Sequence, residues 1–223
     1  MSINWILCFN FAYAADITGS GNEITEDSSV LQNINGNDTE LTIKNSATLE
    51  RGNNPIKTNT HLRATIVVES GATVSASTGS NAIQAIDAGK GLSITNSGTV
   101  KAAQSKAINL TDVEEGTLTN NSGGIIQANT NTISMLESDG DTTDNITINN
   151  SGTIFATDDD NDETNTIKTD DDSTNITINN NINVKIWYVI HERQRERERE
   201  RERDRERERD RYIAQRFTSV SYT

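Results

Sequence analysis

The chain has 223 residues, 20 Lys+Arg against 33 Asp+Glu, a formal net charge of -13 and only 4% aromatic residues. A chain this acidic repels nucleic acid and anionic membrane surfaces, so neither is expected as a partner. So few rings also exclude a core built on large aromatic side chains, and from Asp16 to Asn181 the one aromatic residue is Phe155.

At the amino terminus Trp5 to Phe11 is apolar, and Ala12 and Ala14 supply the small residues of an A-x-A cleavage site. Residues 1–15 are therefore expected to be a signal peptide, with the mature chain starting at Ala15 or Asp16. Asn10 interrupts the apolar run and no Lys or Arg precedes it; a start codon placed too far downstream accounts for both. The single cysteine, Cys8, lies in this segment, which leaves the body without a thiol for a disulfide or a cysteine metal site. No run approaches the length of a membrane-spanning helix, so direct membrane insertion is not expected. Residues 16–40 are read as an amino-terminal cap or first coil.

Over residues 41–186 one cassette returns six times, spelled LTIKNSATL, IVVESGATV, LSITNSGTV, TNNSGGII, ITINNSGTI and ITINNNINV. The residue at its turn is Ala47, Ala72, Gly98, Gly123, Gly152 and then Ile182, at steps of 25 to 30 residues. A period of that size marks a solenoid, in which one supersecondary unit stacks on its neighbours. Disorder is the competing reading of so polar and acidic a chain, but a disordered tract has no reason to return Ile to the same phase.

Within a coil, Leu92 and Ile94 alternate with Ser93 and Thr95, placing both apolar residues on one face of a strand. Aligned on the turn, the cognates of Ile94 are Ile43, Val68, Ile148 and Ile178, each preceded two places earlier by a second apolar residue. After the turn come Leu49, Val74, Val100, Ile125, Ile154 and Val184. Leu118 falls one residue out of phase, so a bulge is expected in the fourth coil. A further column, Ile56, Ile83, Ile108, Ile133 and Ile167, follows each turn at a similar interval. Three short strands per coil are the arithmetic of an all-β, triangular, right-handed parallel β-helix of about six coils. At the turn, Gly or Ala tolerates a crowded or positive-φ corner, and the Asn before it is suited to cap it or to stack in a ladder.

Candidate chemistry is confined to acidic loops. Asp158, Asp159, Asp160 and Asp162 lie in the longest loop, and Asp170, Asp171 and Asp172 follow Ile167. Dense carboxylates are the ligand type for Ca²⁺. Their spacing fits neither an EF-hand nor the glycine-rich nonapeptide of calcium-binding β-rolls, and the favoured reading is a solvated loop that keeps the rod soluble. No cofactor is expected. Parallel β-helices include polysaccharide lyases and glycosidases, which group carboxylates and bases on one face. Here Arg51, Arg63 and scattered lysines are the body's cations and His61 its sole histidine, so the chain is read as non-enzymatic. Six Asn-X-Ser/Thr sequons, at Asn37, Asn109, Asn120, Asn145, Asn149 and Asn175, are what an Asn-, Thr- and Ser-rich body supplies by chance.

The repeat fades near Val184, and residues 187–223 carry a tract of alternating Arg and Glu from His191 to Arg211. This tail is expected to lie outside the fold, disordered or helical. Alternating AGA and GAG codons spell the same tract, so it is read as non-homologous sequence joined to a truncated solenoid.

Signal segment, Asn/Ser/Gly-Thr turns and 25 to 30 residue coils together resemble the start of a bacterial autotransporter passenger, over about residues 12–184. The resemblance implies secretion, display at the outer membrane and a structural or adhesive role toward an unidentified host protein or glycan. It also implies a carboxyl-terminal translocator barrel, which these residues do not contain. A calcium- or glycan-active β-helix and a chimeric reading frame without independent function are the alternatives.

Overall fold

A computed structural model describes residues 14–88, 90–136, 143–157, 166–169, 173–181 and 189–191, with Arg203, Arg205 and Arg207. The chain is a parallel β-solenoid in which every strand pairs with its counterpart one coil away. Five complete coils carry three strands each, one fewer than the cassette count suggests. The first runs Glu40–Ile43, Thr48–Arg51 and Ile56–Asn59, and the fifth Ile146–Asn150, Thr153–Ala156 and Ile167–Thr169. Before them, Asn22–Ile24 and Gln32–Ile34 already stand in register, so residues 16–40 are a first, partial coil. Thr177–Asn180 and Val189–His191 extend two of the sheets at the other end. The intervening Ile182 and Val184 lie outside the described residues.

In the eight-stranded sheet the inward column Ile56, Ile83, Ile108, Ile133 and Ile167 stacks without a break. All five side chains are fully buried. Stacking one β-branched residue on another fills the interior with no rotamer freedom left to lose, which suits Ile here.

The seven-stranded sheet departs from the expected alignment. Its deep column is Leu41, Ile66, Ile94, Leu118, Ile148 and Ile178, and Leu118 is fully in phase. Ile43 and Val68 stand one inward position further along, paired in sequence with Asn96, Asn120, Asn150 and Asn180. Turn length is the reason. Four residue steps separate this second column from the turn at Ala47, Ala72 and Gly124, but two separate Asn96 from Gly98 and Asn150 from Gly152. The extra residues of the fourth coil lie in its turn rather than in its strand. The register shift in this sheet falls instead in the third coil, between Lys90 and Leu92.

The five-stranded sheet corrects one more position. Leu49, Val74, Val100, Ile126 and Ile154 form its inward column, and Ile125 points outward. Gly124, not Gly123, is accordingly the cognate of Gly98 and Gly152. A Cβ on Gly98 would collide with the carbonyl oxygens of Glu69 and Ala72, and one on Gly152 with those of Asn121 and Gly124. Gly123 has φ +83 and open space around it, so its glycine serves the turn and not the packing.

The polar column is a continuous amide ladder. Asn96 Nδ2 donates to Asn120 Oδ1, Asn120 Nδ2 to Asn150 Oδ1 and Asn150 Nδ2 to Asn180 Oδ1, each at 2.8 Å. The spare amide hydrogens of Asn96 and Asn120 reach carbonyls of the adjoining turns, Ile125 O at 3.2 Å and Thr153 O at 3.3 Å. Gly98 and Gly152 N–H groups donate to Asn96 and Asn150 Oδ1 at 3.2 Å. Asparagine thus both caps the two-residue turn and stacks, and the glycine beside it lets the turn close against the coil below.

Two outcomes test this packing. Ile126→Ala should cost about 2–5 kcal/mol in urea unfolding and Ile125→Ala no more than about 0.5; equal losses would contradict the register. Asn120→Ala should cost about 1–3 kcal/mol, because it strips one amide hydrogen bond each from buried Asn96 and Asn150. The same change at exposed Asn180 should cost far less, and an equal loss there would deny the ladder its energetic weight.

Candidate interaction faces

Three polar faces surround the core, one per sheet, because alternate residues of each strand point away from it. The eight-stranded sheet turns out Asn33, Lys57, Gln84, Asn109, Ser134 and Lys168. Asn109 and Ser134 are nevertheless buried, and the Ser134 hydroxyl has no hydrogen-bond partner among the described residues. Lys106 Nζ donates to Asn109 Oδ1 at 3.3 Å beside them. Burial first, and then the Lys168 charge, push the Lys106 ammonium below the usual lysine range.

The five-stranded sheet presents a mixed face. Thr48, Thr73, Thr99, Ile125 and Thr153 form one outward column. Glu50, Ser75, Lys101, Gln127 and Phe155 form the other.

The seven-stranded sheet is different. Its outward columns are Thr65, Ser93, Thr117, Thr147 and Thr177, and Val67, Thr95, Thr119, Asn149 and Asn179. No charged residue interrupts these two columns from the second coil onward, but exposed Lys90 and Glu115 stand paired in the same sheet beside them. These positions were not among the sequence candidates. The signal was present in the spellings SIT, TLT, TIN and TIN, where hydroxyl or amide residues flank the inward one.

Charges gather at the corners and bind coil to coil. Arg63 grips Asp38 through Nε at 2.5 Å and Nη2 at 2.8 Å. Lys44 Nζ lies 2.6 Å from Glu69 and 3.6 Å from Glu23, and Lys90 bridges Glu114 at 3.4 Å and Glu115 at 3.7 Å. The Arg63 hydrogen bonds hold Asp38 below the usual carboxylate range. Glu69 is lowered by Lys44 and by the Asn45 backbone N–H, and Lys44 is raised in return. His61 Nε2 sits 3.2 Å from Asn35 Oδ1, and Arg51 Nη1 donates to Asn53 O at 2.6 Å. Arg63, Arg51 and His61, the basic residues singled out in the sequence, are thus all engaged with neighbouring loops.

The acidic residues Asp158, Asp159, Asp160, Asp162, Asp170, Asp171 and Asp172 lie outside the described residues. Among the described residues, no group of three or more His, Cys, Asp or Glu side chains is placed to hold a metal ion. Of the tail, Arg203, Arg205 and Arg207 have helical backbone and exposed side chains. No helix among the described residues is long and apolar enough to cross a membrane. No protein-family model, curated protein or solved structure matches the chain.

The corner pairs set a pH dependence. Because the Asp38 and Glu69 carboxyls titrate lower when folded, their contribution is full above the unfolded carboxylate pKa of about 4 and is lost as pH falls through the folded values. Comparing wild type with an Asp38→Asn, Glu69→Gln double variant, the gap in melting temperature should be constant above about pH 5 and close below about pH 4. Half-molar salt should narrow it at every pH. A gap that widens in acid would refute the assignment.

Proposed function

We propose that this chain is a non-catalytic structural or adhesive rod, exported from the cell and displayed outside it in the manner of an autotransporter passenger. The observation that carries this reading is the parallel stacking of five complete coils, strand on cognate strand. A solenoid of this kind buries a thin aliphatic core and spends most of its residues on long outward faces, which suits a spacer or a contact surface. The first described strand is compatible with export. Ala15 is the first residue of the first described strand, with its N–H donating to Leu31 O at 2.8 Å. Cleavage after Ala14 would leave that strand and its hydrogen bond intact. A body without cysteine also suits passage in an unfolded state.

Expression of the full chain in a Gram-negative host, followed by fractionation and amino-terminal sequencing, tests the reading. Material from outside the inner membrane should begin at Ala15 or Asp16. Chain recovered only from the cytoplasm, with residues 1–14 intact, would exclude export.

A further inference from the structure

A corner of the first, partial coil brings together the parts of a self-modifying site. Asn35-Gly36 is the one Asn-Gly step in the sequence. Asn35 is exposed, and His61 Nε2, from the loop after Ile56–Asn59 in the next coil, lies 3.2 Å from its Oδ1. A carboxamide oxygen only accepts, so the imidazole nitrogen facing it carries the proton. The Gly36 N–H donates to no partner among the described residues.

Other asparagines are arranged against the same chemistry. Asn96, Asn150 and Asn180 precede amides already committed, Ser97 N–H to Val68 O at 2.8 Å, Ser151 N–H to Asn120 O at 2.7 Å and Asn181 N–H to Asn150 O at 3.0 Å. The carboxamides of Asn45 and Asn121 are engaged with Ser46 Oγ at 3.2 Å and Ser97 Oγ at 2.9 Å, and a serine follows each. A following glycine has no Cβ to obstruct its own nitrogen, and its backbone turns freely enough to bring that nitrogen onto the side-chain carbon before it. Only at Asn35 do a glycine, an uncommitted amide nitrogen and a proton donor on the carboxamide oxygen coincide among the described residues.

We infer that Asn35 converts itself to aspartate and isoaspartate, with the Gly36 nitrogen as nucleophile and His61 as the group that stabilises the developing charge. The Gly36 nitrogen attacks Asn35 Cγ and gives up its proton to water. Negative charge gathers on Oδ1, where the Nε2–H of His61 is already aimed. The Cγ–Nδ2 bond then breaks and ammonia leaves with a proton from water, closing a succinimide. Water opens that ring at either carbonyl. Breaking the new bond to Cγ restores the main chain beside a side-chain carboxylate, and breaking the old peptide bond routes the main chain through Cβ and Cγ. No electron is gained or lost. The second product lengthens the backbone by a methylene in a corner stitched by Thr39 Oγ1 to Gly36 O at 2.7 Å, Leu62 N–H to Asn37 Oδ1 at 2.9 Å and Asp38 N–H to Leu62 O at 3.0 Å. The last two contacts join the partial coil to the first complete one, so the modification loosens the amino-terminal cap. This goes beyond the rod reading and is independent of export.

The test incubates the purified full-length chain at neutral pH and maps its peptides over time. The peptide holding Asn35 should gain the mass of an amide-to-acid exchange, release an equivalent of ammonia and split into two isomers, ahead of any change at Asn45 or Asn121. His61→Ala should slow this about tenfold, short of the effect of a buried catalytic acid, and should match wild type once both are unfolded in urea. Hydroxylamine, which cleaves a succinimide, should cut the folded wild type between Asn35 and Gly36, a readout that needs no variant. Amide exchange at Asp38 and Leu62 should rise with isoaspartate content, and exchange that stays level would remove the effect on the cap. A folded wild-type chain that keeps its amide at position 35, or is not cut there, would overturn the inference. So would a His61→Ala chain with the wild-type β signature in circular dichroism that converts at the wild-type rate.

Discussion

One parallel coil cannot slip by a single residue against the next without turning its inward isoleucines into water. Burying each such side chain is worth about 1.5–3 kcal/mol, so a one-residue error across one coil forfeits several such terms together. The core is only a few side chains wide. It holds because Ile stacks on Ile in the eight-stranded sheet and Leu or Ile on Leu or Ile in the seven-stranded one, so that apolar meets apolar from one complete coil to the next. Everything else in the molecule, from the corner ion pairs to the outward columns, inherits its order from that stacking.

A slip by two residues is a different matter, since it keeps inward residues inward. The aliphatic columns resist it weakly, and here the asparagines matter. A buried amide displaced by two positions would face a leucine or an isoleucine and lose its ladder partners, at about 1–3 kcal/mol for each unpaired group. Asn96, Asn120 and Asn150 therefore discriminate against the one register error that the apolar pattern tolerates. In the first two coils, where Ile43 and Val68 occupy the column, the discrimination falls to surface pairs such as Arg63 with Asp38 and Lys44 with Glu69.

The same blindness of a period-two pattern explains what could and could not be read from the residues. The Ile56 to Ile167 column was legible because each member follows its turn at a recognisable distance and has no apolar rival at the equivalent position. Anchoring on the turn places Ile43 and Val68 in the column of Ile94, because the turn's length changes by two residues between coils. Ile125 and Ile126, like Gly123 and Gly124, are identical neighbours, and only the strand pairing distinguishes the buried one. The outward threonines are hidden in the sequence for a related reason. A polar residue between two inward ones reads as solvent-facing, and its alignment with equals in other coils exists only once the coils are stacked.

The amide ladder also gives the solenoid a direction. Backbone N–H and C=O groups alternate up and down the stack and largely cancel, which is why sheets have little net dipole. The asparagine amides do not alternate. From Asn96 to Asn150 every donating N–H points toward the carboxyl-terminal coils and every accepting carbonyl toward the amino-terminal ones. Their dipoles add along a buried line where water cannot screen them, so the interior of this otherwise symmetric stack is electrically polar from the third coil onward.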